Sequence, residues 1–261
     1  MSSPDTTTEN KKIKIIGHRG AAGYAPENTL ASFQKAIDLN VDLIEFDIHL
    51  TADHEIVVIH DSNVERTTNS EGEIEDLTLA EIQKLDAGSW FKSQFKNEKI
   101  LTLEELINFV DHRVKLLIEI KWPKKGIYEG LVPKLIDIIA KTNSASNVII
   151  QSFERAYLKE IALINPNLEC HQLIFATSDI FPLYYDRELQ FGYFKPLKKV
   201  SSVNRYYYYL SKNNINEGTI SSGAYTLNEP DDMKKAISWG LEYLITDYPD
   251  VAFKVLNENK Q

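Results

Sequence analysis

Ile13-Lys14-Ile15-Ile16-Gly17-His18-Arg19-Gly20, residues 13–20, is a short apolar strand that runs straight into a polar turn. An open doubly wound sheet more often follows its first strand with a glycine-rich phosphate loop. Gly17-His18-Arg19-Gly20 is not that loop, so the choice moves to a closed barrel. Downstream, short apolar runs alternate with amphipathic stretches. Strands are expected at Asp42–Ile48, Glu55–Ile59, Lys115–Ile120, Val148–Gln151, Glu169–Phe175, Thr219–Leu227 and Leu241–Thr246, with one more within Val200–Val203. Between them the helical spacing covers Glu27–Leu39, with Pro26 at its start, then Leu103–Val110, Leu131–Ala140, Ala156–Ile164, Tyr206–Leu210 and Asp231–Trp239. Repeated strand–helix alternation means parallel strands joined by helical crossovers. The expected fold is an α/β (β/α)8 TIM barrel. It carries a small insertion after the second strand, at about residues 61–100, where the rhythm breaks and one short helix is expected at Leu79–Leu85.

The chain has 261 residues, 43% hydrophobic and 26% charged, which is ordinary for a folded soluble protein and excludes general disorder. Residues 1–11 read as a flexible polar tail and 12–261 as one catalytic barrel domain. The formal net charge of −9 argues against nucleic acid as the main partner, because phosphate-tracking surfaces are basic. The single cysteine, Cys170, rules out an intramolecular disulfide, and no apolar run approaches a membrane span. A cytoplasmic protein is expected, with a secreted one as the alternative if a signal peptide has been removed. Oligomeric state is not legible.

In a barrel the active site forms at the C-terminal ends of the strands, so polar residues there carry the functional reading. His18-Arg19 follows the first strand; Arg can clamp phosphoryl oxygens and His can move a proton near neutral pH. Glu45 and Asp47 alternate with Leu43, Ile44, Phe46 and Ile48, so both carboxylates share one buried face. Such a pair requires a cation, a proton or matched basic partners between them. Glu119 and Lys121 repeat the spacing on a later strand, as a third carboxylate with a second clamp, or as a local ion pair. His60-Asp61 closes the strand Ile56–Ile59. Three oxygen donors without cysteine suit one hard divalent cation, Mg²⁺ or Ca²⁺. With two histidines, the set suits metal-assisted attack on a phosphodiester.

These residues occur within a longer ordered series. It includes His18-Arg19-Gly20, Ala25-Pro26-Glu27-Asn28-Thr29, Glu45-Phe46-Asp47, His60-Asp61, Arg66-Thr67-Thr68-Asn69, Leu77-Thr78-Leu79 and Leu85-Asp86-Ala87-Gly88. It continues with Leu101-Thr102-Leu103-Glu104-Glu105, Glu119-Ile120-Lys121, Gln151-Ser152-Phe153 and Ile245-Thr246-Asp247-Tyr248-Pro249. The series resembles the glycerophosphodiester phosphodiesterases over most of the chain. The resemblance implies hydrolysis of a small-molecule glycerophosphodiester to glycerol 3-phosphate and an alcohol. It implies His18 and His60 as the acid–base pair, Glu45, Asp47 and Glu119 as metal ligands, and Arg19 and Lys121 on the phosphate. The mechanism it implies has the substrate's glycerol hydroxyl attack phosphorus, and water then open the cyclic phosphate.

The sequence departs from the family pattern in three places. Trp-Thr-Val-Asn becomes Tyr225-Thr226-Leu227-Asn228, which keeps an aromatic, Tyr225, at a substrate-binding position. The Asp-Gly turn becomes Asp53-His54, a change expected to alter only a hairpin, where His can tolerate a left-handed conformation. His49 shares the parity of Glu45 and Asp47, and is expected to pack the rim. The aromatic-rich stretch 177–209 fits the pattern poorly. It leaves open a phospholipase D-like enzyme acting on lysophospholipid or sphingolipid head groups; a non-catalytic phosphodiester-binding barrel is the other reading, and the presence of both His18 and His60 argues against it.

Overall fold

The computed structural model describes residues 13–174, 197, 199–215 and 220–258. The expected tail and most of the aromatic-rich stretch therefore lie outside the described residues. Eight parallel strands close on themselves in the order β1 (Lys14–Gly17), β2 (Leu43–Leu50), β4 (Lys115–Ile120), β5 (Val148–Ser152), β6 (Cys170–Ile174), β7 (Ser202–Tyr206), β8 (Ser221–Tyr225) and β9 (Tyr243–Thr246), with β9 pairing back onto β1. The remaining strand, β3 (Ile56–Val58), folds back antiparallel on β2. Its turn is Thr51 to Glu55, and His54 adopts φ +59°, a left-handed conformation that His can tolerate. The fold is a (β/α)8 barrel.

Strand periodicity sorts the core into layers. The alternate residues Ile44, Phe46 and Ile48 of β2 face outward. They join the shell between strands and helices α1 (Leu30–Asp38), α3 (Leu103–Val110), α4 (Leu131–Lys141) and α5 (Arg155–Ile164). The other parity faces the barrel axis. Ile16, Leu43, Leu117, Ile149, Tyr243 and Ile245 fill the lower interior, so the barrel is plugged rather than open. One step further along the same strands, apolar side chains give way to Glu45, Asp47, Glu119 and Gln151. Register sets Asp47 beside Glu119 and Glu119 beside Gln151.

The insertion has its own small core of Val57, Ile59, Val64, Ile74, Ile82, Ala87 and Ile100. Its short helix, α2, spans Leu79–Ile82, stopping earlier than the spacing suggested. Capping boxes start α2 and α3: Glu81 accepts the Thr78 N–H at 2.8 Å and Glu105 accepts the Thr102 N–H at 2.8 Å. These contacts account for Leu77-Thr78-Leu79 and Leu101-Thr102-Leu103-Glu104-Glu105 as helix starts. Two helix expectations are corrected. Helix α1 begins at Leu30, not Glu27, because Asn28 sits at φ +58° and turns its amide toward Asp47. Tyr207–Tyr209 form one 3₁₀ turn after β7 rather than a helix. Beyond the barrel strands, α6 (Lys212–Ile215), α7 (Pro230–Ser238) and α8 (Pro249–Glu258) complete the chain order.

Candidate active site

Every catalytic or metal-ligand residue expected from the sequence lies at the C-terminal rim of the barrel. The turn after β1 is tight. A Cβ on Gly17 would meet the Gly20 carbonyl oxygen at 2.2 Å, and one on Gly20, at φ +92°, would meet Ser32 Oγ at 2.4 Å. Only glycine fits either position. Arg19 between them adopts φ +49°, and its N–H donates to Glu45 Oε2 at 3.1 Å. The sharp turn thus sets the Arg19 backbone against one carboxylate while its guanidinium reaches two others.

Glu45, Asp47 and Glu119 are buried and offer one oxygen each within 4.8 Å of one another. Lys121 lies among them, with Nζ 2.8 Å from Glu119 Oε1 and 3.7 Å from Asp47 Oδ1. The local ion pair read from the sequence is real, but Lys121 also reaches Asp47 and a histidine. Arg19 Nε stands 3.4 Å from Asp47 Oδ2, and its Nη1 donates to Glu27 at 2.7 Å. Nε makes no hydrogen bond among the described residues, so the guanidinium has a buried donor to spare.

The electrostatics follow from this layout. Burial raises the Asp47 carboxyl, but Lys121, Arg19 and His60, with the Asn28 amide, outweigh it and hold it low. Glu45 goes the other way: burial, then Asp47 and Glu119, push its carboxyl well above the usual range against the pull of Arg19. Burial also works against the Lys121 ammonium, yet Glu119 and Asp47 keep it charged. With all three carboxylates ionised, the two cations Arg19 and Lys121, the former shared with Glu27, would leave negative charge in excess, which is why Glu45 is pushed up. An all-oxygen set with that excess could bind a hard divalent cation.

The histidines have matched surroundings. His18 Nδ1 lies 2.6 Å from Asp247 Oδ1, and Asn228 Nδ2 donates to the other Asp247 oxygen at 2.6 Å. His60 Nδ1 lies 2.6 Å from Asp61 Oδ1, and Arg66 Nε donates to Asp61 Oδ2 at 2.7 Å. The His60 hydrogen bond holds the Asp61 carboxyl low despite partial burial. Asp247, raised by burial, is returned below its ordinary value by His18 and Asn228. His60 Nε2 is 3.1 Å from Lys121 Nζ.

Several supporting residues were not assigned a role from sequence. Glu27 takes Arg19 on one side and Arg66 on the other, with Arg66 Nη1 at 2.8 Å. Asn28 donates to Asp47 Oδ2 at 3.0 Å. Gln151 Nε2 donates to Glu45 Oε1 at 3.2 Å, and Gln151 Oε1 accepts from Asn204 Nδ2 at 2.9 Å. The runs Pro26-Glu27-Asn28 and Gln151-Ser152-Phe153 contained this signal, but only as motif fragments. His49 lies buried beneath His60, with both ring nitrogens engaged, and burial lowers its imidazole to about 4. Tyr225 ends β8. Its hydroxyl donates to the Ile174 carbonyl at 3.1 Å, leaving the ring as its contribution. That ring continues an edge-to-face line from Trp122 through Phe153, with centroids 5.7 and then 6.0 Å apart. Phe181, Tyr184, Tyr185, Phe191, Tyr193 and Phe194 lie outside the described residues. Among the described residues no helix is long and apolar enough to cross a membrane.

Residues 18–251 match the model of the glycerophosphoryl diester phosphodiesterase family. The chain is 35% identical to a glycerophosphodiester phosphodiesterase of Bacillus subtilis, over 98% of this chain and 88% of that one. It is 34% identical to a glycerophosphodiester phosphodiesterase of Caldanaerobacter subterraneus, over 95% of this chain and 99% of that one. Among solved structures it resembles an Oleispira antarctica phosphodiesterase in complex with the product sn-glycerol-3-phosphate. The TM-score there is 0.78, at 25% identity over 94% of this chain and 96% of that one.

Proposed function

The chain belongs to the glycerophosphoryl diester phosphodiesterase family and is an enzyme of that activity; on that premise we propose how its residues divide the work. Glu45, Asp47 and Glu119 would hold one divalent cation, Mg²⁺ or Ca²⁺. Such a cation, when bound, supplies positive charge against the phosphoryl oxygens. Arg19, whose buried Nε–H makes no hydrogen bond among the described residues, and Lys121 clamp the remaining phosphate oxygens.

His18 and His60 carry the protons. Lys121 Nζ has only N–H donors to offer, so His60 Nε2, at 3.1 Å, presents its lone pair. The His60 Nδ1 proton is held by Asp61 at 2.6 Å. His60 is therefore set to accept the proton of the attacking oxygen. His18, backed by Asp247, delivers a proton to the departing alkoxide. Overall the P–O bond to the alcohol breaks, a water oxygen takes its place on phosphorus, the alkoxide gains a proton, and the products are glycerol 3-phosphate and an alcohol. The ring of Tyr225, in line with Phe153 and Trp122, offers an apolar face to the carbon skeleton of the substrate.

The observation that carries this division is the pairing of two rim histidines, each on its own carboxylate at 2.6 Å, around one buried acidic cluster. A phosphodiester-binding protein without turnover needs the clamps but not two proton carriers. The test is release of glycerol 3-phosphate from glycerophosphocholine and glycerophosphoethanolamine. It is run with the protein stripped of metal, then with Mg²⁺ or Ca²⁺ restored, beside His18→Ala and His60→Ala. Cation-dependent release that both substitutions abolish is expected. Full release by either folded variant removes that histidine from the mechanism, and release unaffected by stripping removes the cation.

A further inference from the structure

We propose that His49 is a positioning residue that fixes His60 by holding the His60 backbone carbonyl. The inference rests on the reading of His60 as an acid–base group. β2 is the longest strand, and its inward parity runs Leu43, Glu45, Asp47, His49. His49 therefore sits one interior step above Asp47, with 1% of its surface exposed. β3 ends at Val58, and the last backbone rung joining its chain to β2 is the Ile59 N–H to the Asp47 carbonyl, at 3.1 Å. His60 lies just past that rung, at the start of the insertion. Its carbonyl lies 3.0 Å from His49 Nε2.

A carbonyl only accepts, so His49 Nε2 carries the proton and donates it. His49 Nδ1 then presents its lone pair to the Tyr128 hydroxyl, 2.7 Å away, which donates. The two rings meet edge to face, with centroids 5.7 Å apart. Tyr128 is itself anchored: its backbone N–H donates to Tyr157 Oη at 2.7 Å, and Tyr157 is fully buried on α5. A continuous line thus runs from α5 through Tyr128 and His49 to His60. Asp61 and Lys121 orient the His60 ring, whereas His49 sets the backbone from which that ring projects. A displacement of about 1 Å at a reacting group can lower turnover by roughly 100-fold.

The test compares His49→Phe, His49→Gln and Tyr128→Phe with the unaltered enzyme and with His60→Ala. It measures kcat and KM on glycerophosphocholine at saturating cation, with melting temperature as the folding control. Phenylalanine keeps the ring volume but loses the donor. It should lower kcat by roughly 10- to 100-fold with KM within about twofold. Glutamine can place an N–H near the Nε2 position and should recover most of that loss. Tyr128→Phe removes the hydroxyl that donates to Nδ1 and so loosens the ring that holds the His60 carbonyl, and should give a smaller fall in kcat at unchanged KM.

A folded His49→Phe with normal kcat overturns the proposal, as does glutamine performing no better than phenylalanine, or KM changing in step with kcat. If His49→Phe does not fold, Tyr128→Phe decides: normal kcat overturns the proposal, and reduced kcat at constant KM sustains it. A fully active His60→Ala overturns this inference and the acid–base reading together. An inactive His60→Ala beside normal His49 variants overturns this inference alone.

Discussion

Glu45→Gln should stabilise the metal-stripped enzyme and destabilise the cation-loaded one relative to the unaltered chain. The substitution is nearly isosteric and removes one negative charge from three carboxylates grouped within 4.8 Å. In the stripped protein Glu45 must either stay ionised against Asp47 and Glu119 or take a proton from solvent. For a carboxyl of ordinary value about 4.3, protonation at pH 7 costs about 1.36 × 2.7, or roughly 3.7 kcal/mol. That sets the ceiling on what the group can cost the fold. Glutamine avoids this cost, but one of its amide N–H groups must face a donor, because Arg19 N–H and Gln151 Nε2 both donate to Glu45, at 3.1 and 3.2 Å. Such a conflict costs about 1–3 kcal/mol, so the net gain should be roughly 1–2 kcal/mol. At about 2–4 °C per kcal/mol for a chain of this size, the melting temperature rises by roughly 2–8 °C.

Cation at about 100 times its Kd adds roughly 2.7 kcal/mol to the unaltered chain and much less to the variant, which lacks one ligand. The order of melting temperatures should therefore invert between EDTA and Ca²⁺ or Mg²⁺. The assay is thermal unfolding followed by circular dichroism at pH 7 in both conditions. A variant that melts below the unaltered chain in EDTA, or the same order in both conditions, refutes the account of Glu45.

Asp247→Asn should lower kcat by roughly 10²–10⁴-fold while leaving cation affinity intact, because His18 loses the acceptor that fixes its tautomer; steady-state kinetics with a cation titration checks this, and an unchanged kcat refutes it. Gly17→Ala should lower the urea midpoint by the equivalent of about 2 kcal/mol or more, because its Cβ would approach the Gly20 carbonyl oxygen at 2.2 Å. Asp47, Asp61 and Asp247 titrate lower in the folded chain than their ordinary unfolded value of about 3.9. Their stabilisation is present above about pH 4 and is lost as pH falls through the folded values. The cation-loaded melting temperature should therefore drop steeply below pH 4, and a flat profile to pH 2 would contradict the pairing.

Most of the barrel was legible because two periodicities coincide with two environments. The alternation in Leu43–Ile48 already placed Glu45 and Asp47 on one buried face, and the interior layer carries them there. The rim residues followed from strand ends. The partners of those residues were harder to see. Asp61 is adjacent to His60, but nothing local distinguishes a supporting carboxylate from a solvated one. Asp247 lies 229 positions from His18, and only closure of β9 on β1 brings them together. Helical spacing includes Asn28 because it is blind to a single residue whose amide is better used elsewhere. Parity alone places His49 on the face of Glu45 and Asp47; its carbonyl contact arises from the fold-back of β3, which parity does not encode.

The dependence of His18 on Asp247 has a consequence for synthesis. All three carboxylates of the acidic cluster have been translated by residue 119, yet the group that orients His18 appears only at residue 247. At roughly 5–20 residues per second, the intervening 247 − 119 = 128 residues take about 6–26 s. Through that interval a nascent chain carries the oxygen ligands without a closed β1–β9 seam or an oriented acid. With His18 as the proposed acid, efficient hydrolysis would begin only when the ring is sealed, and a product of premature termination before Asp247 would lack both the β1–β9 seam and the partner of His18.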